Sequence, residues 1–170
     1  MKIDFTGKKA IVCGGSKGIG KVIAESFAAC GGDVSICARD LIGLEAAKKD
    51  ISKHGNKVHI ASTDLSIGEN VRTYISSAIN GLGGLDFLVN NASAFGFNDN
   101  EQDWSNSFAV DMLSVVHATQ EALEALKSSK GCVLNISSLA ANYPSTRHPP
   151  YGAMKAAVVH YSRTQAAMYA

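Results

Sequence analysis

Between an apolar run ending at Cys13 and an apolar-periodic segment that reaches Cys30 lies Gly14-Gly15-Ser16-Lys17-Gly18-Ile19-Gly20, and no other stretch narrows the possible folds as much. Missing β-carbons let the backbone turn tightly and approach another group closely. A helix that opens on such a turn presents free N–H groups and a partial positive charge. Strand, glycine turn and helix in that order form the first half of a βαβ unit whose turn can hold a pyrophosphate. A tight turn that only packs helix on strand is the competing account, and the position at a strand-to-helix junction favours the ligand.

The alternation continues along the chain. Strands are expected over 8–13, 33–37, 57–61, 85–89 and 132–136, and helices from the glycine turn to 30 and over 42–54, 68–79, 101–127 and 150–170. Apolar, β-branched strands without polar alternation fit a parallel sheet covered on both faces, and right-handed crossovers make it doubly wound. The expected class is therefore α/β, a Rossmann-like doubly wound parallel sheet of order 3-2-1-4-5. With 170 residues, 46% of them hydrophobic, the chain can bury one core and has little material for a second, so 1–170 reads as a single domain. Ligands of such sheets bind beyond the carboxyl ends of the strands, which places the chemistry after Cys13, Val89 and Ile136.

Charge and cysteine usage exclude several functions. Sixteen Lys and Arg against fifteen Asp and Glu leave +1, with no basic face for nucleic acid. Charges at Lys2, Asp4, Lys8 and Lys9 interrupt any signal-peptide core, and no apolar run reaches the roughly 18 residues of a membrane span. A soluble, cytoplasmic protein without a membrane partner is expected. Cys13, Cys30, Cys37 and Cys132 lack the paired spacing of a metal site, so no metal is expected. Cys13, Cys37 and Cys132 fall in apolar strands, where free cysteine acts as a small hydrophobe.

Tyr151 and Lys155 are four apart at the start of the last helix and share one face. Such a pair can exchange a proton with an oxygen of a bound molecule. Free tyrosine, with a pKa near 10, is sluggish at that task near neutrality, and a cation at i+4 favours tyrosinate. Ser138, at the end of the fifth strand, can hydrogen-bond the substrate oxygen and hold it near Tyr151.

The G-x-x-x-G-x-G spacing of Gly14, Gly18 and Gly20, the segment Asn90-Asn91-Ala92-Ser93, and Ser138 thirteen residues before Tyr151 together resemble the short-chain dehydrogenase/reductase family along the whole chain. The resemblance implies an oxidoreductase that moves a hydride between a nicotinamide cofactor and a small carbonyl or alcohol, with 3-oxoacyl thioesters, as in 3-oxoacyl-carrier-protein reductases, as the first candidate substrates. A catalytically inactive NADP-binding or regulatory module is the alternative. It implies Ser138, Tyr151, Lys155 and Asp111 as catalytic residues. Gly14, Ser16, Lys17, Gly18, Ile19, Gly20, Arg39, Asp64, Leu65, Asn91, Tyr151 and Lys155 are implied to hold the cofactor. The position ending strand 2, where a carboxylate would accept from a ribose 2′-hydroxyl, is Ala38, followed by Arg39. With Lys17 in the turn, two cations can flank a 2′-phosphate, which points to NADP(H). Two solvated surface cations are the bland account of that pair, and Asp40 stands one residue too late for the NAD position.

Three departures stand out: Cys13 for the family's Thr, Ser93 for Gly, and Asp111 for Asn, seven residues after Trp104. The family's Asn distorts its helix and binds a water that leads to the lysine. A carboxylate there accepts but does not donate, and can pair with Lys155. Residues 93–97 and 139–149 are expected to wall a substrate pocket made partly apolar by Phe95, Phe97 and Tyr143. The resemblance also implies a homodimer or homotetramer. It places two more strands, a Pro-Gly segment and a helical lid beyond residue 170, so the chain is read as truncated at its C-terminus.

Overall fold

A computed structural model describes residues 3–169. Five parallel strands run in the order β3-β2-β1-β4-β5. They are β1 (Lys9–Cys13), β2 (Asp33–Ala38), β3 (Val58–Ser62), β4 (Phe87–Asn90) and β5 (Cys132–Asn135). The helices are α1 (Gly18–Ala29), α2 (Leu41–Ile51), α3 (Gly68–Leu82), α4 (Glu101–Ser107), α5 (Ser114–Ser129) and α6 (Pro149–Tyr169). The expected doubly wound sheet and its strand order are therefore present.

Alternation along the strands builds two cores from one sheet. Ile11, Cys13 and Leu88 face α3 and α5, where they meet Val71, Ile75, Ala118 and Ala122. Val12, Val34 and Ile36 face the other way onto α1 and α2, against Ala24, Phe27, Leu44 and Ile51. Each such fully buried aliphatic side chain stabilises by roughly 1.5–3 kcal/mol, and both faces must be filled for a parallel sheet to persist. The register Cys13↔Cys37 and Cys13↔Asn90 aligns the carboxyl ends of β2, β1 and β4, so the loops that leave them converge.

Two expectations need correction. Cys132 is exposed, not a buried small hydrophobe: β5 closes the order at one edge, and while Val133 packs into the core, Cys132 and Leu134 lie on the opposite, open face. The helix expected over 101–127 is two helices, α4 and α5, joined by a π-helical turn, Phe108–Leu113, and it ends at Ser129 with Lys130 in left-handed backbone. Apolar periodicity averages over several turns and does not register one extra residue in a single turn. Among the described residues no helix is long and apolar enough to cross a membrane, and no group of three His, Cys, Asp or Glu is placed to hold a metal ion.

Candidate active site

The glycine turn is tied down from two sides. Gly14 N and Gly15 N donate to the Cys37 carbonyl at 3.0 and 3.1 Å, which fastens the turn to β2. Asn91, leaving β4, donates its side-chain amide to the Gly14 carbonyl at 3.0 Å. Gly14 has a φ of +79°, and a β-carbon there would sit 3.0 Å from Ala92 Cα. A β-carbon on Gly20 would overlap the Gly14 carbonyl oxygen and the Asn91 amide. The three segments thus interlock only because both positions lack side chains.

Gly18 faces open space, and Lys17 and Ile19 are exposed beside it. Helix α1 starts with no side-chain cap and no acidic residue in its first turn, so its first N–H groups and its positive end are left for a ligand. Ser16 lies near the first turn of α2, 3.8 Å from where a Gly43 β-carbon would be. An uncapped helix start over a cradle that β-carbons would close fits the pyrophosphate of a dinucleotide.

At the end of β2, Arg39 is exposed and Ala38 brings no carboxylate. Asp40 accepts from Ile42 N at 3.1 Å and Gly43 N at 3.2 Å as the N-cap of α2, so the nearest acid is engaged in holding a helix. Asp64 follows β3. The Ser66 N–H (2.9 Å) and hydroxyl (2.7 Å), with help from the Arg39 charge, hold its carboxyl below the usual range. Leu65 turns its side chain into the core cluster that includes Val71 and Ile75, so what it can offer a cofactor is its backbone.

The end of β5 and the start of α6 are clamped together. Lys155 Nζ donates to the Ile136 carbonyl at 2.9 Å, and the Ser137 hydroxyl donates to the Lys155 carbonyl at 3.2 Å. The ammonium of Lys155 lies 5.6 Å from the centre of the Tyr151 ring. Ser138 Oγ accepts from Ala140 N at 3.2 Å, capping the 3₁₀ turn Leu139–Ala141, and keeps its own proton for donation. That turn lies against α6: a β-carbon on Gly152 would be 3.2 Å from the Ala140 carbonyl oxygen. Ser138 thus opens a turn that packs on the first turn of α6, the turn that carries Tyr151 and leads to Lys155, beyond the carboxyl end of β5.

Asp111, in the π turn, is 0% exposed. Its Oδ2 accepts from Ala94 N at 3.2 Å, and its Oδ1 stands 3.7 Å from Lys155 Nζ with no hydrogen-bond partner in the protein. Burial pushes this carboxyl up, against the opposing pull of the Ser93 hydroxyl, the Lys155 charge and the Ala94 N–H. Burial likewise pushes Lys155 down, with Asp111 opposing. The expected pair of Asp111 and Lys155 is close but not hydrogen-bonded.

Several neighbours brace the centre, and of these Asn135, Ser162 and Gln165 were not named from the sequence. Asn90 donates to Asn135 at 2.8 Å, and Asn135 donates to Ser162 (2.9 Å) and Gln165 (3.1 Å), a chain of amides that fixes β4, β5 and α6 to one another. Tyr151 stacks on Phe95 (centroids 5.3 Å, 19°) and meets His148 edge-on (6.5 Å, 87°), which in turn meets Phe97 edge-on (4.6 Å, 83°). His148 lies in the segment 139–149 expected to wall the pocket, although no periodic pattern singles it out there. Phe95, Phe97, Leu139 and Tyr143 are more than half exposed, so they rim an open region and do not wall a closed pocket. A cavity of about 430 Å³ beside Tyr143, Ser145 and Gly152, and another of about 740 Å³ between α5, β5 and α6, are lined without Ser138 or Tyr151.

The family model described as short chain dehydrogenase matches residues 8–170. An uncharacterized oxidoreductase of Mycobacterium tuberculosis is 32% identical over 166 residues, which cover 94% of this chain and 63% of that protein. L-Sorbose reductase from Gluconobacter frateurii, solved with NADPH and L-sorbose, superposes with a TM-score of 0.94 at 28% identity, over 99% of this chain and 66% of that one. A 7α-hydroxysteroid dehydrogenase, solved with NADH and 7-oxo glycochenodeoxycholic acid, gives 0.88 at 27% identity, over 94% and 64%. The chain thus spans just under two thirds of the length of these proteins.

Proposed function

From the premise that the chain belongs to the short-chain dehydrogenase family, we propose that it carries the reacting centre of an NADP(H)-dependent oxidoreductase acting on a small carbonyl or the matching alcohol. The observation that carries this reading is the convergence, at the carboxyl end of one sheet, of an uncapped glycine-turn helix with the clamped set Ser138, Tyr151 and Lys155. When bound, the nicotinamide supplies or accepts the hydride. Gly14, Ser16, Gly18, Ile19 and Gly20 offer backbone and space to the pyrophosphate, Asn91 keeps that turn in place, and Asp64 and the Leu65 backbone border the adenine side. Ser138 donates its free proton to the substrate oxygen, Tyr151 exchanges a proton with the same oxygen, and Lys155 favours the charged tyrosine and faces the ribose. The NADPH-bound neighbour acts on a sugar ketone and the NADH-bound one on a steroid ketone. We therefore assign the carbonyl as the reacting group, without narrowing the molecule that bears it.

The preference for NADP(H) rests on Ala38, exposed Arg39 and Lys17, and on Asp40 being occupied as a helix cap. Arg39→Asp should weaken NADP(H) binding by about thirtyfold, the loss of one charge-assisted hydrogen bond worth about 2 kcal/mol, and should raise NAD(H) affinity. Calorimetric titration of both cofactors into both proteins checks it. NAD(H) bound as tightly as NADP(H) by the unmodified protein would overturn the assignment.

A further inference from the structure

Cys13 and Cys37 are register partners on the neighbouring parallel strands β1 and β2, and both side chains point to the same face of the sheet, into the core that α3 covers. Neighbouring strands run about 4.8 Å apart, inside the Cα separation of roughly 4.4–6.8 Å that a disulfide spans. The two thiols share a side-chain hydrogen bond. Their exposures are 3% and 0%, so only a small reagent reaches them, from the carboxyl end of β1.

A cysteine that only fills space sits among carbon atoms. Cys37 instead ends a row of polar groups that crosses this core from the sheet edge. His59, opposite Ser35 on the edge strand β3, is partly exposed, and its Nδ1 is 2.9 Å from the Ser35 hydroxyl. The Ser35 hydroxyl is 2.9 Å from that of buried Tyr74, and Tyr74 in turn donates to the Cys37 sulfur. The Gly14 N–H and the Cys13 thiol complete three donors on one sulfur. Burial pushes the Cys37 thiol up, but these donors outweigh it and bring it below its usual range. Three donors on one sulfur favour the thiolate, the reactive form, and Tyr74, Ser35 and His59 give its proton a route outward.

We propose that Cys13 and Cys37 form an oxidisable dithiol, closed to a disulfide by hydrogen peroxide, and that closure loosens the glycine turn. The Cys37 sulfur attacks one peroxide oxygen, the O–O bond breaks, and a sulfenic acid and one water result. The Cys13 sulfur then attacks the Cys37 sulfur, the S–O bond breaks, and the hydroxyl leaves as a second water with the proton of Cys13. Two thiols are oxidised by two electrons, and one peroxide is reduced to two waters. The consequence for the turn follows from position. The Cys37 carbonyl accepts from both Gly14 N and Gly15 N, and Cys13 directly precedes Gly14. A disulfide draws its β-carbons to about 3.8 Å, closer than the strand spacing, so closure pulls β1 and β2 together under the turn. A bond made against that spacing is readily reduced by a dithiol, which makes the modification reversible. The effect on ligand binding rests on the reading of this turn as the cofactor cradle.

Cys30 ends α1 and exposed Cys132 starts β5, so replacing both isolates the pair. In folded protein carrying Cys30→Ser and Cys132→Ser, hydrogen peroxide should consume both remaining thiols. The intact mass should fall by two hydrogens, and digestion should yield the peptides of Cys13 and Cys37 joined. Calorimetric titration of the oxidised protein should show NADPH bound about tenfold more weakly, the loss of about one hydrogen bond to the turn, with affinity restored by dithiothreitol. Thiols that survive the peroxide would overturn the proposal, as would a mass gain of oxygen without joined peptides. A joined pair that leaves NADPH affinity unchanged would also overturn it. Should the double variant not fold, wild-type protein oxidised and digested yields the same joined peptides. Mass and peptides are read without cofactor, so reduced protein that binds no NADPH would overturn the reading of the turn and leave the disulfide measured.

Discussion

Tyr151→Phe should lower kcat by about a thousandfold while leaving the affinity for NADPH within about twofold of wild type, because acid–base catalysis by one group contributes roughly 10²–10⁴ and only a hydroxyl is removed. The substitution keeps everything the ring does in the fold. Its stack on Phe95, its edge contact with His148 and the ammonium 5.6 Å from its centre do not involve the oxygen. The Lys155 bond to the Ile136 carbonyl is also untouched. Steady-state kinetics beside a calorimetric titration separate the two quantities. Turnover retained at neutral pH would remove Tyr151 from the proton-transfer role.

The second large effect is expected at Gly20, whose place is set by two groups that cannot retreat. A β-carbon there would overlap the Gly14 carbonyl oxygen, held by Asn91, and the Asn91 amide itself. Moving Gly14 strains its N–H bond to Cys37 and shifts the start of α1. Gly20→Val should therefore destabilise the protein by about 1–3 kcal/mol, a fall in Tm of several degrees, as overpacked sites do. It should also weaken NADPH binding by about a hundredfold, which corresponds to losing two charge-assisted hydrogen bonds of about 1.5 kcal/mol each. Thermal unfolding and titration together check both parts. A folded variant that binds NADPH normally would show that the cofactor does not use this turn.

The residues explain which parts of this molecule could be read before its structure. Sheet order was legible because strand-helix alternation and right-handed crossovers leave few topologies, and because Ile11, Val34, Leu88 and Val133 belong to short apolar runs between turn residues. The glycine turn and the Tyr151–Lys155 pair could be placed on their elements because position in a turn or on one helix face follows from local spacing, which the chain displays directly. What escaped depends on contacts between distant segments. The π turn adds one residue to a helix, and although the pairing of Asp111 with Lys155 was expected, the complete burial of that carboxyl depends on segments 44 positions apart. Asp40 looked like a rival for the ribose until its two bonds to the start of α2 appeared. Leu65 was assigned by its place after β3, but its side chain follows its apolar character inward. Cys132 has the composition of a core residue and the position of an edge, and the edge prevails.

In the function proposed here, one end of this sheet joins an NADP(H) cradle to the acid–base pair Tyr151 and Lys155. It is tested most directly by following NADPH oxidation spectrophotometrically with a panel of small ketones, including a ketose and a 3-oxoacyl thioester, while titrating NADPH binding in the same preparation. NADPH binding and carbonyl-dependent oxidation with at least one ketone are expected, with equal amounts of NADPH consumed and alcohol formed. Tight NADPH binding without oxidation for every carbonyl offered would contradict it and identify the chain as a nucleotide-binding module instead.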